Sequence, residues 1–72
     1  MKLLDYNLKK INTEYVYRIE KNYYEVLNYD GNEEKLKEMV KELNLNSMFN
    51  ITWSIYKNDT IVILEEIVDT LD

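Results

Sequence analysis

Few residues of this 72-residue chain have the type and spacing to make or break bonds. Ser47 and Ser54 carry hydroxyls, but a serine nucleophile needs a histidine or lysine base within hydrogen-bond reach. The sequence has no histidine and suggests no base beside either serine. Glu65-Glu66 is a carboxylate pair. Adjacent acids in an acidic run are nevertheless a weak glycosidase signal, because that chemistry needs two carboxyls flanking one bond. Asp30-Gly31 fails as a calcium loop, since that alignment puts Val26 at the first ligand position and Lys37 at the last. Gly31 is the single glycine, which rules out a glycine-rich phosphate cradle. With neither cysteine nor histidine, any metal would need oxygen ligands alone. The expectation is a chain that is not an enzyme and holds no cofactor and no metal.

The residue types in surplus are those of contact surfaces. Six of the seven tyrosines, Tyr6, Tyr15, Tyr17, Tyr23, Tyr24 and Tyr29, lie in the first 29 residues. Tyrosine supplies contact area and a hydroxyl at low rotamer cost. Acid gathers at the other end. Residues 1–57 hold nine acids and nine bases, so the net charge of -5 comes from Asp59, Glu65, Glu66, Asp69 and Asp72, with no lysine or arginine among them. Such a stretch repels nucleic acid and attracts a basic surface, or simply keeps a terminus solvated. Glu34, Glu38 and Glu42 recur every four residues, which lines them along one helix flank about 6 Å apart. The plain alternative is a solvated helix face, with Lys37 and Lys41 offsetting the repulsion. The scattered lysines and the lone Arg18 form no basic stripe, so direct nucleic-acid binding is not expected.

The elements that must position these residues are legible in part. Residues 33–44 read as a helix: Asn32 is the N-cap, Glu33 and Glu34 favour the positive end of the dipole, and Leu36, Met39, Val40 and Leu43 recur at helical spacing. Residues 2–12 are a second helix candidate, with an apolar stripe of Leu4, Leu8 and Ile11. Residues 13–20 and 23–29 alternate like strands around a Lys21-Asn22 turn. That register sets Tyr15, Tyr17, Ile19, Tyr24 and Val26 on a core face and Val16, Tyr23, Leu27 and Tyr29 on the other. A longer loop with another register is the alternative.

Residues 49–56 and 60–66 form a second hairpin across Lys57, Asn58 and Asp59, with Phe49, Ile51, Trp53 and Ile55 alternating as a half-buried strand and Trp53 in the core. Ile61 and Ile63 then face outward. Residues 65–72 continue the strand or turn helical. The Lys-Asn pairs lie 36 residues apart, and that offset aligns Ile19 with Ile55 and Val26 with Val62. The resulting expectation is α+β: a single domain over residues 1–72, in α-β-β-α-β-β order, with two hairpins in an antiparallel sheet packed on one or two helices. The rival reading joins Leu4, Leu8, Ile11, Tyr15 and Ile19 into one long helix, against which the density of Tyr, Val and Ile argues.

A domain this short buries only about 60% of its unfolded surface. Cysteine is absent, so a disulfide cannot help. Homodimerisation through the outward apolar sheet face is therefore one expectation. No apolar window approaches the ~20 residues that span a bilayer, and Asp5, Asn7 and Lys9 break the N-terminal run, so a cytoplasmic protein without membrane contact is expected.

Codon usage adds a hint of origin. Phe, Tyr, Met, Ile, Asn and Lys make up 35 residues, whereas Gly, Ala, Arg and Pro make up 2, the mark of an AT-rich genome. In size, the Glu34/Glu38/Glu42 row and the acidic stretch from Glu65, the chain resembles small acidic phage-encoded inhibitors of the anti-CRISPR type. This is a likeness of class without a shared motif. It implies a protein-binding inhibitor that mimics DNA to a basic, nucleic-acid-binding partner. Glu34, Glu38, Glu42, Glu65, Glu66 and Asp69 would meet its arginines and lysines, with Tyr23 and Tyr29 as anchors. The alternative is a homodimeric structural or regulatory module, such as a phage accessory protein or an antitoxin-like subunit.

Overall fold

The computed structural model describes residues 6–70. Two hairpins flank one helix in the order β1 (Leu8–Val16), β2 (Ile19–Val26), α1 (Glu33–Asn46), β3 (Ile51–Asn58) and β4 (Ile61–Asp69). They form one antiparallel four-stranded sheet ordered β1-β2-β4-β3, with the helix on one side. The α+β class therefore holds, and the order is β-β-α-β-β. The expected helix over residues 2–12 is a correction: its described part from Leu8 onward is strand, and residues 2–5 lie outside the described residues.

The first hairpin turns at Tyr17-Arg18, where Val16 pairs with Ile19, four residues before the expected Lys21-Asn22 turn. The earlier turn gives β1 a full partner and leaves Tyr24 and Val26 on the helix side. A register shift between Lys10 and Asn12 inserts Ile11 as a bulge. The extra residue breaks the period of two, which is how Leu8, Ile11 and Tyr15 come to imitate helical spacing. The second hairpin turns at Asp59-Thr60, close to expectation, and β4 continues as strand to Asp69. With turns at 17–18 and 59–60, the 36-residue offset lays β2 across the end of β3, its turn and the start of β4 rather than like on like.

Helix α1 starts where its caps dictate. Gly31 takes a left-handed φ of 84°. Asn32 Oδ1 accepts the Lys35 N–H at 3.1 Å, and Asp30 Oδ1 accepts both the Asn32 N–H at 3.1 Å and the Tyr6 hydroxyl at 2.8 Å. At the other end Asn44 donates to the Trp53 carbonyl at 3.0 Å and accepts the Trp53 N–H at 2.8 Å. Its amide thereby occupies the outward backbone groups of an edge strand. Trp53 Nε1–H also donates to Ser47 Oγ at 2.8 Å, and Glu33 meets Lys57 at 2.8 Å, so the helix is tied to β3 at both ends.

The core lies between helix and sheet: Tyr6, Val26, Leu36, Met39, Val62 and Leu64 are buried, with Leu8, Tyr24, Tyr29, Val40, Leu43, Trp53 and Ile55 packed against them. Several tyrosines depart from the expected faces. Tyr15 and Tyr17 are exposed instead of core, Tyr6 is 3% exposed, and Tyr29 packs beside Tyr6 on the helix side, 6.3 Å between ring centroids. Phe49 precedes β3 and is exposed, and Ile19 lies across from Asp69 on the uncovered face.

Both turns begin with a left-handed residue, Tyr17 at φ 55° and Asp59 at φ 54°. Asp tolerates that region and Tyr does not, at a cost of roughly 1–2 kcal/mol. Tyr17→Asn should therefore raise stability by about 1 kcal/mol and Tm by several degrees, read by thermal melting. The Tyr6 hydroxyl, then the Asn32 N–H and the Lys35 ammonium, hold the Asp30 carboxyl below the usual carboxylate range. Its folded pKa is depressed, so its stabilisation is present above the ordinary value and lost as pH falls through the lowered one. Melting curves between about pH 5 and 2 should show a shallower acid loss for Tyr6→Phe than for the parent.

Candidate functional site

One helix of 14 residues, about 21 Å long, can cover only one side of a four-stranded sheet. The register shows what the uncovered side displays, row by row from β1 to β3. Val16, Ile19 and Asp69 form the first row, and Glu14, Lys21, Ile67 and Thr52 the second. Asn12, Tyr23, Glu65 and Ser54 form the third, and Lys9, Glu25, Ile63 and Tyr56 the fourth, with Ile61 and Asn58 beyond. Isoleucines thus recur along β4, joined by Ile19 at the start of β2, with the carboxylates of Glu65 and Asp69 among them.

Glu65 is the unexpected member, only 6% exposed although no helix lies over it. Tyr23 stands opposite it on β2, and from β3 the Tyr56 hydroxyl, one pair along, donates to Glu65 Oε1 at 3.0 Å. The Tyr23 hydroxyl donates to Glu14 Oε1 at 3.2 Å. Burial, then the carboxylates of Glu65 and Glu14, push the Tyr23 phenol up to about 12, and the Glu65 hydrogen bond raises Tyr56. Both rings stay neutral donors over the physiological range.

Lys21 faces Glu14 and Lys9 faces Glu25 in the register, so the two lysines of this face stand opposite acids. Glu65 and Asp69, both on β4, stand opposite Tyr23 and Ile19. No ion pair among the described residues involves either.

The other expected contact residues lie elsewhere. Glu34 and Glu38 are exposed and Glu42 half-buried on the helix, on the far side of the molecule from the bare face, and Glu34 sits 3.9 Å from Lys37. Glu66 points to the helix side, where its Oε1 accepts from Asn22 Nδ2 at 3.1 Å. Asn22 is 3% exposed and fully engaged: Nδ2 also donates to Glu20 at 2.9 Å, and Oδ1 accepts the Thr13 hydroxyl at 2.9 Å. Burial, then Glu66 and Glu20, raise the Tyr24 phenol beside them. Tyr29 lies on the helix side with Lys57 Nζ 5.4 Å above its ring. The eight expected contacts therefore fall on three surfaces, and the bare face gathers Tyr23, Glu65 and Asp69.

Sequence reasoning missed Ile19, Ile67 and Glu14 as members of this face and left Tyr56 unassigned between packing and contact. A signal existed in β4, which is apolar at both parities, Val62, Leu64 and Val68 against Ile61, Ile63 and Ile67. That pattern marks a central strand with two apolar faces. Among the described residues, no group of three or more His, Cys, Asp or Glu side chains could hold a metal ion, and no helix is long and apolar enough to cross a membrane. Comparison of the chain with protein-family models, curated proteins and solved structures gives no match.

Because Glu65 adds to burial at Tyr23 and is the main cause at Tyr56, Glu65→Gln should lower the Tyr23 pKa in part and bring Tyr56 back toward its ordinary value, seen as an earlier phenolate signal in an ultraviolet titration. Glu66→Gln should move Tyr24 instead.

Proposed function

We propose that this chain is a non-enzymatic protein-binding protein that docks on a basic partner through the uncovered face of its sheet. The observation that carries this reading is the combination, on one uncovered face, of Ile19, Ile61, Ile63 and Ile67 with the uncompensated acids Glu65 and Asp69. Contiguous apolar area rimmed by polar groups marks an interaction surface. The charge surplus selects the partner, because acids flanked by isoleucine and tyrosine are matched by arginine or lysine beside apolar side chains.

The edges support the same choice of surface. Asn44 occupies the outward groups of Trp53 on β3, and β1 carries Lys9, Lys10 and a bulge, devices that discourage strand addition. Docking on the face leaves these guards in place. A partner whose basic residues otherwise meet phosphates fits the charge pattern, so the chain acts as an occluding inhibitor of nucleic-acid binding, with Tyr23, Glu65 and Asp69 as its principal contacts.

The test compares Ile63→Lys and Ile67→Lys with the triple Glu34→Lys, Glu38→Lys, Glu42→Lys variant in binding a purified partner recovered from the host cell. Each single face variant should weaken binding at least about tenfold, the 1.4 kcal/mol expected for an interface anchor, and parent binding should fall with salt. The helix triple should bind like the parent. Loss of binding in the triple with the face variants unaffected overturns the reading. So does a stable dimer that Ile67→Lys converts to monomer, because the face is then filled by a second copy.

A further inference from the structure

One end of the bare face is not flat. Ile19, Ile67 and Thr52 floor a cleft of about 300 Å³ whose rim is Phe49, Asn50 and Asp69. The rim is held rigidly: the Asp69 N–H donates to the Asn50 carbonyl at 2.9 Å, and Asn50 Nδ2 donates back to the Asp69 carbonyl at 2.9 Å. That second bond fixes the amide, leaving Asn50 Oδ1 as its acceptor, enclosed and without a hydrogen-bond partner. Phe49 stands beside it 86% exposed. The guanidinium of Arg18, whose carbonyl accepts the Thr70 N–H, lies over the Tyr17 ring at 5.5 Å.

We infer that this cleft receives an arginine side chain of the protein partner, an inference that rests on the docking reading above. The lining lacks any cation and offers an exposed carboxylate, a hydroxyl, apolar walls and one exposed aromatic ring. Arginine answers each of these. Its methylenes lie along Ile19 and Ile67, its planar head stacks on Phe49, and its five donors, with no acceptor among them, address Asp69 and the Thr52 hydroxyl. A lysine ammonium would pair with Asp69 but leave the ring without a planar partner. The neighbouring Glu65, about 13 Å along β4, marks where a second basic residue of the same partner would fall.

The experiment is a nuclear magnetic resonance titration of the full chain with N-acetylarginine amide, with N-acetyllysine amide and N-acetylnorleucine amide at matched ionic strength. Arginine amide should produce saturable shifts centred on Ile19, Asn50, Thr52 and Ile67. Lysine amide should bind more weakly and norleucine amide weakest. Asp69→Asn should weaken arginine binding by about three- to fivefold, the range of an exposed ion pair, and Phe49→Ala should narrow the preference for arginine over lysine. Both positions are on the rim, and an unchanged backbone spectrum verifies that the variants fold. Equal shifts from all three amides, or an Asp69→Asn response identical to the parent, overturn the inference. If arginine amide fails while Ile63→Lys and Ile67→Lys still weaken the partner, the cleft assignment alone falls. If those variants leave partner binding intact, the docking reading falls with it.

Discussion

The antiparallel pairing of β2 with β4 is the interaction on which the rest of the structure depends. It joins residues 19–25 to residues 63–69 and turns two hairpins into one sheet. A two-stranded hairpin alone is marginal in water, so neither half persists without this seam. The seam also creates the core: Tyr24 lies across from Leu64 with Val26 and Val62 beside them, and only then does α1 have a surface on which to bury Leu36 and Met39. Asn22 reinforces it on the helix side by holding Glu20 and Glu66 from the two strands at once.

The same seam places the acid. The stretch that supplies the net charge is not a free tail through Asp69 but a central strand, whose alternation sends Glu66 to one side and Glu65 and Asp69 to the other. One helix covers one side, so among the described residues the second apolar face of β4 has no cover. A buried carboxylate there is tolerated because tyrosine hydroxyls replace its water. The two-layer fold thus leaves β4, a strand apolar on both faces, covered on one.

Much of the fold was legible in the sequence where local chemistry decides it. Asn32, Glu33 and the Leu36/Met39/Val40/Leu43 spacing located α1, and the Ile51 to Ile55 alternation located β3. The first hairpin was not legible, for a physical reason. A bulge at Ile11 breaks the strand period, and a left-handed Tyr17 makes a turn from residues that carry no turn signal, while Lys21-Asn22 imitates one and is instead strand. That register decides which tyrosines are core, so the candidate site was legible only in fragments: Tyr23, Glu65 and Asp69 were named, but Ile19, Tyr56 and the Phe49 cleft depended on tertiary pairing. The 36-residue correspondence misled because composition repeats where topology does not.

The central claim is that the bare sheet face, and not the helix row, is where a partner sits. The most direct measurement is a map of backbone chemical-shift changes in the isotope-labelled chain on binding its purified partner. The account predicts changes concentrated at Ile19, Tyr23, Ser54, Tyr56, Ile63 and Ile67, with Glu34, Glu38 and Glu42 unmoved. Changes along the helix row with the sheet face unaltered would contradict it.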